Sequence, residues 1–217
     1  EDRVPLSPMA RIPRTATNII AALTALAWLI TAVLRLDDKA AVALGFIPAR
    51  LSGAELPWPA VPAILTPLTS TIVHSGLLHL AFNLLIFVWC GSAVERALGK
   101  TSLVFLYVVG AYAAAIAQWL SSPLGTIPVI GASGAISAVI GAFALSFGRA
   151  RMITRSPRVN RWINIVWLLA AWVVLQAMMG FLAGGQGYLL ATPAHIGGFI
   201  AGLLLQRPLL LWRYRSA

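Results

Sequence analysis

Six apolar runs, at about residues 17–35, 71–94, 102–120, 133–148, 162–183 and 194–212, constrain this chain more than any other feature. Each is close to the roughly 20 residues that carry an α-helix across about 30 Å of hydrocarbon. In lipid the backbone must satisfy its own hydrogen bonds, so runs of this length are read as helices. Composition agrees: 59% of the 217 residues are hydrophobic, mean hydropathy is +0.86, and 10% are charged. Soluble domains carry about 25% charged residues. The expected fold is all-α, a bundle of six transmembrane helices forming one membrane domain over residues 17–213. A short basic tail, residues 1–16, precedes it. The first run is longer than the apolar segment of a signal peptide and reads as a retained helix.

The net charge of +10 is distributed by topology rather than as a nucleic-acid surface. Arg3, Arg11, Arg14, Arg96, Lys100, Arg149, Arg151, Arg155, Arg158, Arg161, Arg207, Arg213 and Arg215 fall on one side of the predicted bundle. Only Arg35, Lys39 and Arg50 fall on the other, and the connections near 121–130 and 184–193 carry no charge. The positive-inside rule then makes both termini cytoplasmic. The long loop at about 36–69 lies on the outer side. It holds Trp58 among four prolines and many aliphatic residues, so it is expected to lie partly in the membrane interface. Cys90 is the single cysteine, which excludes an internal disulfide.

Polar residues inside the apolar runs form three clusters. The first is Gly131-Ala132-Ser133-Gly134, at the start of the fourth run. The second is His74, His79 and Asn83, and the third is His195 with Gly198 and Gly202. All three histidines of the chain are in these clusters. Ser133 lies 16 residues before Arg149, and His79 lies 16 residues before Glu95. At 1.5 Å per residue both stand about 24 Å above the cytoplasmic boundary. His195, 12 residues before Arg207 and 18 before Arg213, brackets the same level.

The spacing also says which groups share a face. His195, Gly198 and Gly202 are related as i, i+3 and i+7, and His79 and Asn83 as i and i+4. Gly198 and Gly202 form a G-x-x-x-G stripe, and the fourth run opens with small residues, so helices 4 and 6 are expected to approach closely. A serine, a histidine and nearby donors are the parts of a nucleophilic hydrolase. Competing readings exist. G-x-x-x-G is most often a packing motif, and an intramembrane serine usually bonds its own backbone. Three histidines also suit zinc. No carboxylate or cysteine stands at their depth and no H-E-x-x-H occurs, so no metal and no cofactor is expected. In lipid, ionisable side chains default to function.

These residues resemble the rhomboid family of intramembrane serine proteases. The resemblance rests on G-A-S-G at 131–134, H-x-x-x-x-H-x-x-x-N at 74–83 and H-x-x-G-x-x-x-G at 195–202. Asn83-Leu84 through Gly91, Glu95, Arg96 and Gly99 also looks like the family's second helix and its exit. It covers about residues 17–205 and implies a six-helix rhomboid-like bundle. By position it implies Ser133 as nucleophile and His195 as general base. It implies an oxyanion hole of His79, Asn83 and the Ser133 N–H, with His74 supporting that region. Gly131, Gly134, Gly198 and Gly202 would support the site. It further implies lateral substrate entry between helices 2 and 5 and a cap over the site, here Gly180 to Pro193. Two features depart from the family pattern. The Trp-Arg pair that many members carry in the first loop occurs here only as Trp212-Arg213. Four residues after Ser133, where an aromatic often packs on the base, stands Ser137.

The expected function is hydrolysis of peptide bonds in or near transmembrane segments of membrane proteins. No Asp or Glu stands at the site layer, so a Ser133–His195 dyad would work without a carboxylate orienter. The expected partners are transmembrane substrates and the lipid bilayer, with no nucleic acid. The expected location is a bacterial cytoplasmic membrane, with the site near its outer face. A rhomboid-like protein that binds membrane clients without cleaving them is the alternative. A transporter is a third reading, but the inverted repeats and deep charges it would favour are not visible.

Overall fold

A computed structural model describes residues 15–57, 59–147, 153–182 and 191–215. All regular elements among them are helices. Helix α1 (Ala16–Val33) leads into the long loop, which folds as α2 (Asp37–Leu44), α3 (Pro48–Leu51) and α4 (Thr66–Thr69). Short 3₁₀ turns at Ala63–Leu65 and Ser70–Ile72 flank α4. Long helices then follow: α5 (Leu77–Leu98), α6 (Lys100–Ser121), α7 (Ser133–Phe147), α8 (Pro157–Leu182) and α9 (Thr192–Arg213).

By length and composition five of these helices can cross a membrane: α1, α5, α6, α8 and α9. The sixth, α7, has 15 residues, or about 22 Å. It can be short because it faces protein rather than lipid: ten of its residues are buried. The bundle is therefore the expected rhomboid-like set of six helices, with one correction. The second long helix starts at Leu77 and not near 71, because Ser70–Ile72 is a 3₁₀ turn and Val73 is extended. The sixth helix is a full 22 residues, close to its expected run. Large apolar side chains point outward along the bundle, among them Leu85, Trp89, Trp167 and Leu204 at 64–69% exposure. Such a surface suits lipid and not water.

The core is built on missing side chains. A Cβ at Gly198 would fall on the Gly134 carbonyl oxygen, and one at Gly202 on that of Ala138. In return, a Cβ at Gly141 would fall on the Phe199 carbonyl oxygen. α7 and α9 thus touch backbone to backbone along three turns. α6 completes the wedge, since Cβ atoms at Gly110 and Gly197 would strike Ala138 and Ala117. Without a hydrophobic drive between helices in lipid, close packing of this kind supplies the association.

A second contact closes the opposite end from Ser133. The Glu95 carboxylate on α5 accepts from Ala16 N–H at 2.8 Å, Thr17 N–H at 2.9 Å and the Thr17 hydroxyl at 2.6 Å. It answers the free N–H groups and the positive dipole end of α1. Thr15 caps the same turn by accepting from Asn18 N–H.

The long loop packs against the bundle. Phe46 and Val129 exchange two backbone hydrogen bonds of 2.9 and 2.7 Å, joining the loop to the segment that enters α7. Ala40, Ala41 and Val73 form a small core of their own under Ile130.

Two outcomes are expected. Gly202→Val should lower thermal stability in detergent strongly, since the added side chain meets backbone; overpacking costs about 1–3 kcal/mol even where side chains can shift. An unchanged melting temperature would place the crossing elsewhere. Glu95→Ala should destabilise by about 1.5–3 kcal/mol, the worth of hydrogen bonds to a charged group. Unfolding titrations with wild type and Glu95→Ala would measure it.

Candidate active site

Ser133 is the first residue of α7, and what precedes it sets its direction. Gly131 has φ +108°, a conformation that a side chain disfavours. It is also crowded: a Cβ there would lie 2.7 Å from Cε1 and 2.8 Å from Nε2 of His79. The turn is held by Gly131 N–H donating to the Ser70 carbonyl at 2.9 Å. Ala132 N–H points at His74 Nε2, 3.4 Å away. Ser133 N–H, at the start of a helix, has no intrahelical carbonyl to bond.

The glycine crossing then delivers the partner. His195 lies in the first turn of α9, one turn before Gly198, the residue laid on Gly134. Its Nε2 is 2.9 Å from Ser133 Oγ. Both residues are buried, at 4% and 7% exposure, so bulk water does not compete for this contact. No hydrogen-bond partner for His195 Nδ1 occurs among the described residues.

The second helix brings its polar face to the same place. His79 sits over Gly131, its Nδ1 3.2 Å from Ser75 Oγ, and its ring packs edge-on against that of His74 at 5.0 Å. His74 is buried in the extended entry to α5, outside the helix. Asn83 is fully buried one turn further along, and its amide nitrogen donates to the His79 carbonyl at 2.8 Å. Of the residues picked out in the sequence, Ser133, His195, His79, His74, Gly131, Gly134 and Gly198 therefore meet in one region. Gly202 lies a turn deeper at the crossing, against Ala138. Most of the expected cap, at 183–190, lies outside the described residues.

Spacing did not disclose the surroundings. Beside Ser133 is a cavity of about 30 Å³, mostly apolar, whose walls include the polar side chains of Ser70, Thr71 and Gln118. Gln118 Oε1 is buried there without a partner among the described residues. A space of this size has room for a water molecule, and these few polar side chains offer it partners. Ser137 hydrogen-bonds the Ser133 carbonyl at 2.7 Å and accepts from Trp172 Nε1 at 2.7 Å. The Trp172 ring packs T-shaped on His195, centroids 6.2 Å apart. An aromatic does adjoin His195, but it comes from α8 and not from α7. Its one sequence signal is a tryptophan whose N–H would need a partner inside an apolar helix.

Comparison with known proteins shows the family of the chain. The Rhomboid domain model matches residues 63–212. The chain is 31% identical to rhomboid protease GluP of Bacillus subtilis over 136 residues, 62% of this chain and 24% of that protein. It is 32% identical to rhomboid protease GlpG of Serratia proteamaculans over 134 residues, 61% and 44% of the two chains. It is 29% identical to RHOMBOID-like protein 5 of Arabidopsis thaliana over 139 residues, 64% and 42%. The chain thus spans less than half the length of each of these relatives. The matched region takes in everything from the end of the long loop to the end of α9, and by it this multi-pass membrane protein belongs to the Rhomboid family.

Proposed function

We propose that the protein is an intramembrane serine endopeptidase that cleaves peptide bonds in or near transmembrane segments of other membrane proteins. The observation that carries this reading is the buried 2.9 Å contact between His195 Nε2 and Ser133 Oγ. In it His195 Nε2 takes the Ser133 proton as Oγ attacks the scissile carbonyl. His195 then gives that proton to the leaving amine, and an ester to Ser133 remains. Water, activated by the same imidazole, hydrolyses the ester and frees the serine. The small cavity beside Ser133, with Ser70, Thr71 and Gln118 in its walls, offers room for that water.

The developing oxyanion is held by the Ser133 N–H, at the positive end of α7, together with His79 and Asn83. Two features support this. Gly131 lets the His79 ring come against the turn that presents Ser133. Asn83 spends one amide hydrogen on the His79 carbonyl, and an amide has two to give. The relatives' printed names, rhomboid protease, favour cleavage over client binding alone.

The roles separate experimentally. Ser133→Ala should abolish cleavage of a co-reconstituted transmembrane substrate while melting stays near wild type. Asn83→Ala should slow cleavage by roughly 10²–10³, the usual cost of one oxyanion donor. It should leave Ser133 open to a fluorophosphonate, and His195→Ala should lose both cleavage and labelling. Equal loss of labelling in the two folded variants would contradict this division, and activity near wild type in Ser133→Ala would end the nucleophile assignment.

We also propose that both termini are cytoplasmic, that the site opens toward the outer face, and that the membrane is a bacterial cytoplasmic one. The support is the distribution of Lys and Arg: thirteen on the side of the termini and three on the other. In a Cys90→Ala background, a cysteine at Ser122 should react with an impermeant maleimide on intact cells, and one at Tyr214 only after permeabilisation. The reverse pattern would invert the topology.

A further inference from the structure

We propose that Trp172 of α8 is the positioning residue of the Ser133–His195 dyad, acting on both members at once through Ser137; the inference rests on the dyad reading above. A base without an orienter is free to turn about its ring axis, and turning breaks its contact with the nucleophile. Among the described residues no carboxylate stands near His195, and its Nδ1 has no hydrogen-bond partner. Its plane must then be fixed by packing. The side chain that packs there in a specific geometry is Trp172, with rings T-shaped at 66° and centroids 6.2 Å apart.

The same indole is itself held. Its N–H donates to Ser137 Oγ at 2.7 Å, and the Ser137 hydroxyl proton goes to the Ser133 carbonyl at 2.7 Å. One hydroxyl therefore accepts from Trp172 and donates to the backbone of Ser133. All three side chains are buried, Ser137 completely and Trp172 at 4% exposure. Without water to replace a lost bond, each link is worth more than at a surface. The contrast within α8 is informative. Trp162 and Trp167 turn outward at 61% and 65% exposure, and only Trp172 among the helix's tryptophans turns in. The indole joins the ring of the base to the main chain of the nucleophile, so a shift of α8 would reach both.

The test uses the full chain in liposomes, a fluorophosphonate as probe of Ser133 reactivity, and a fluorogenic transmembrane peptide as substrate. Trp172→Phe keeps a ring and loses the N–H, whereas Ser137→Ala cuts the link between indole and backbone. Each should lower kcat and the labelling rate together, roughly threefold to tenfold, with KM unchanged. Because both remove the same hydrogen bond, the double variant should be no slower than the slower single one. Trp172→Leu, which also loses the ring, should fall further. Either single variant suffices, so misfolding of one leaves the test intact. Unchanged kcat and labelling with an altered KM would make Trp172 a wall of the substrate route and overturn the proposal, as would additive losses in the double variant. Wild-type labelling that Ser133→Ala removes keeps the dyad standing in either case. Absence of wild-type labelling would instead overturn the dyad, and this proposal with it.

Discussion

The backbone-to-backbone crossing of α7 and α9 is the contact on which the rest of the structure depends. Gly198 on Gly134, Gly202 on Ala138 and Gly141 on Phe199 leave no space for a side chain between the helices. In water such a crossing would compete with the burial of larger apolar groups. In lipid, helix packing gains nothing from leaving the solvent, and close backbone approach is the available source of attraction. The crossing also does geometric work. It sets the first turn of α9 beside the first turn of α7, and His195 and Ser133 occupy those turns.

Around that crossing the other elements divide the labour. α6 fills the third side with alanines. α5 brings His79 against the turn that presents Ser133. At the other end Glu95 fastens α1 through three hydrogen bonds. The long loop closes over the site end by pairing Phe46 with Val129, two residues before Gly131. Packing of that loop therefore bears on the left-handed turn at Gly131, and through it on the direction of Ser133. α8, like α1, buries few of its described residues, yet it turns Trp172 inward.

Much of the fold was legible because lipid narrows the choice. Runs of about 20 apolar residues admit one regular structure, and helix periodicity then says which residues share a face. Counting residues from the charged loops gave Ser133, His79 and His195 a common depth. The one misplaced boundary has a local cause. The start of the second long helix was misplaced because Thr71, Ile72 and Val73 are apolar or β-branched and read as a continuing run, while the chain folds them into a 3₁₀ turn and an extended step.

What the sequence determined by itself is the number of long helices, the levels of the polar clusters and the candidate nucleophile and base. These follow from local rules: hydrocarbon thickness, helical rise and the rarity of histidine in lipid. What only the tertiary structure decided is which side chains meet. The approach of His195 Nε2 to Ser133 Oγ depends on the rotation of two helices about their axes, set by glycines that meet opposing backbone. The chain from Trp172 through Ser137 to Ser133 depends on which face of α8 meets the bundle; the spacing sets Trp162, Trp167 and Trp172 on different faces without saying which one turns inward. Contacts between helices arise from the fit of whole surfaces, and a linear pattern records each surface without recording its partner.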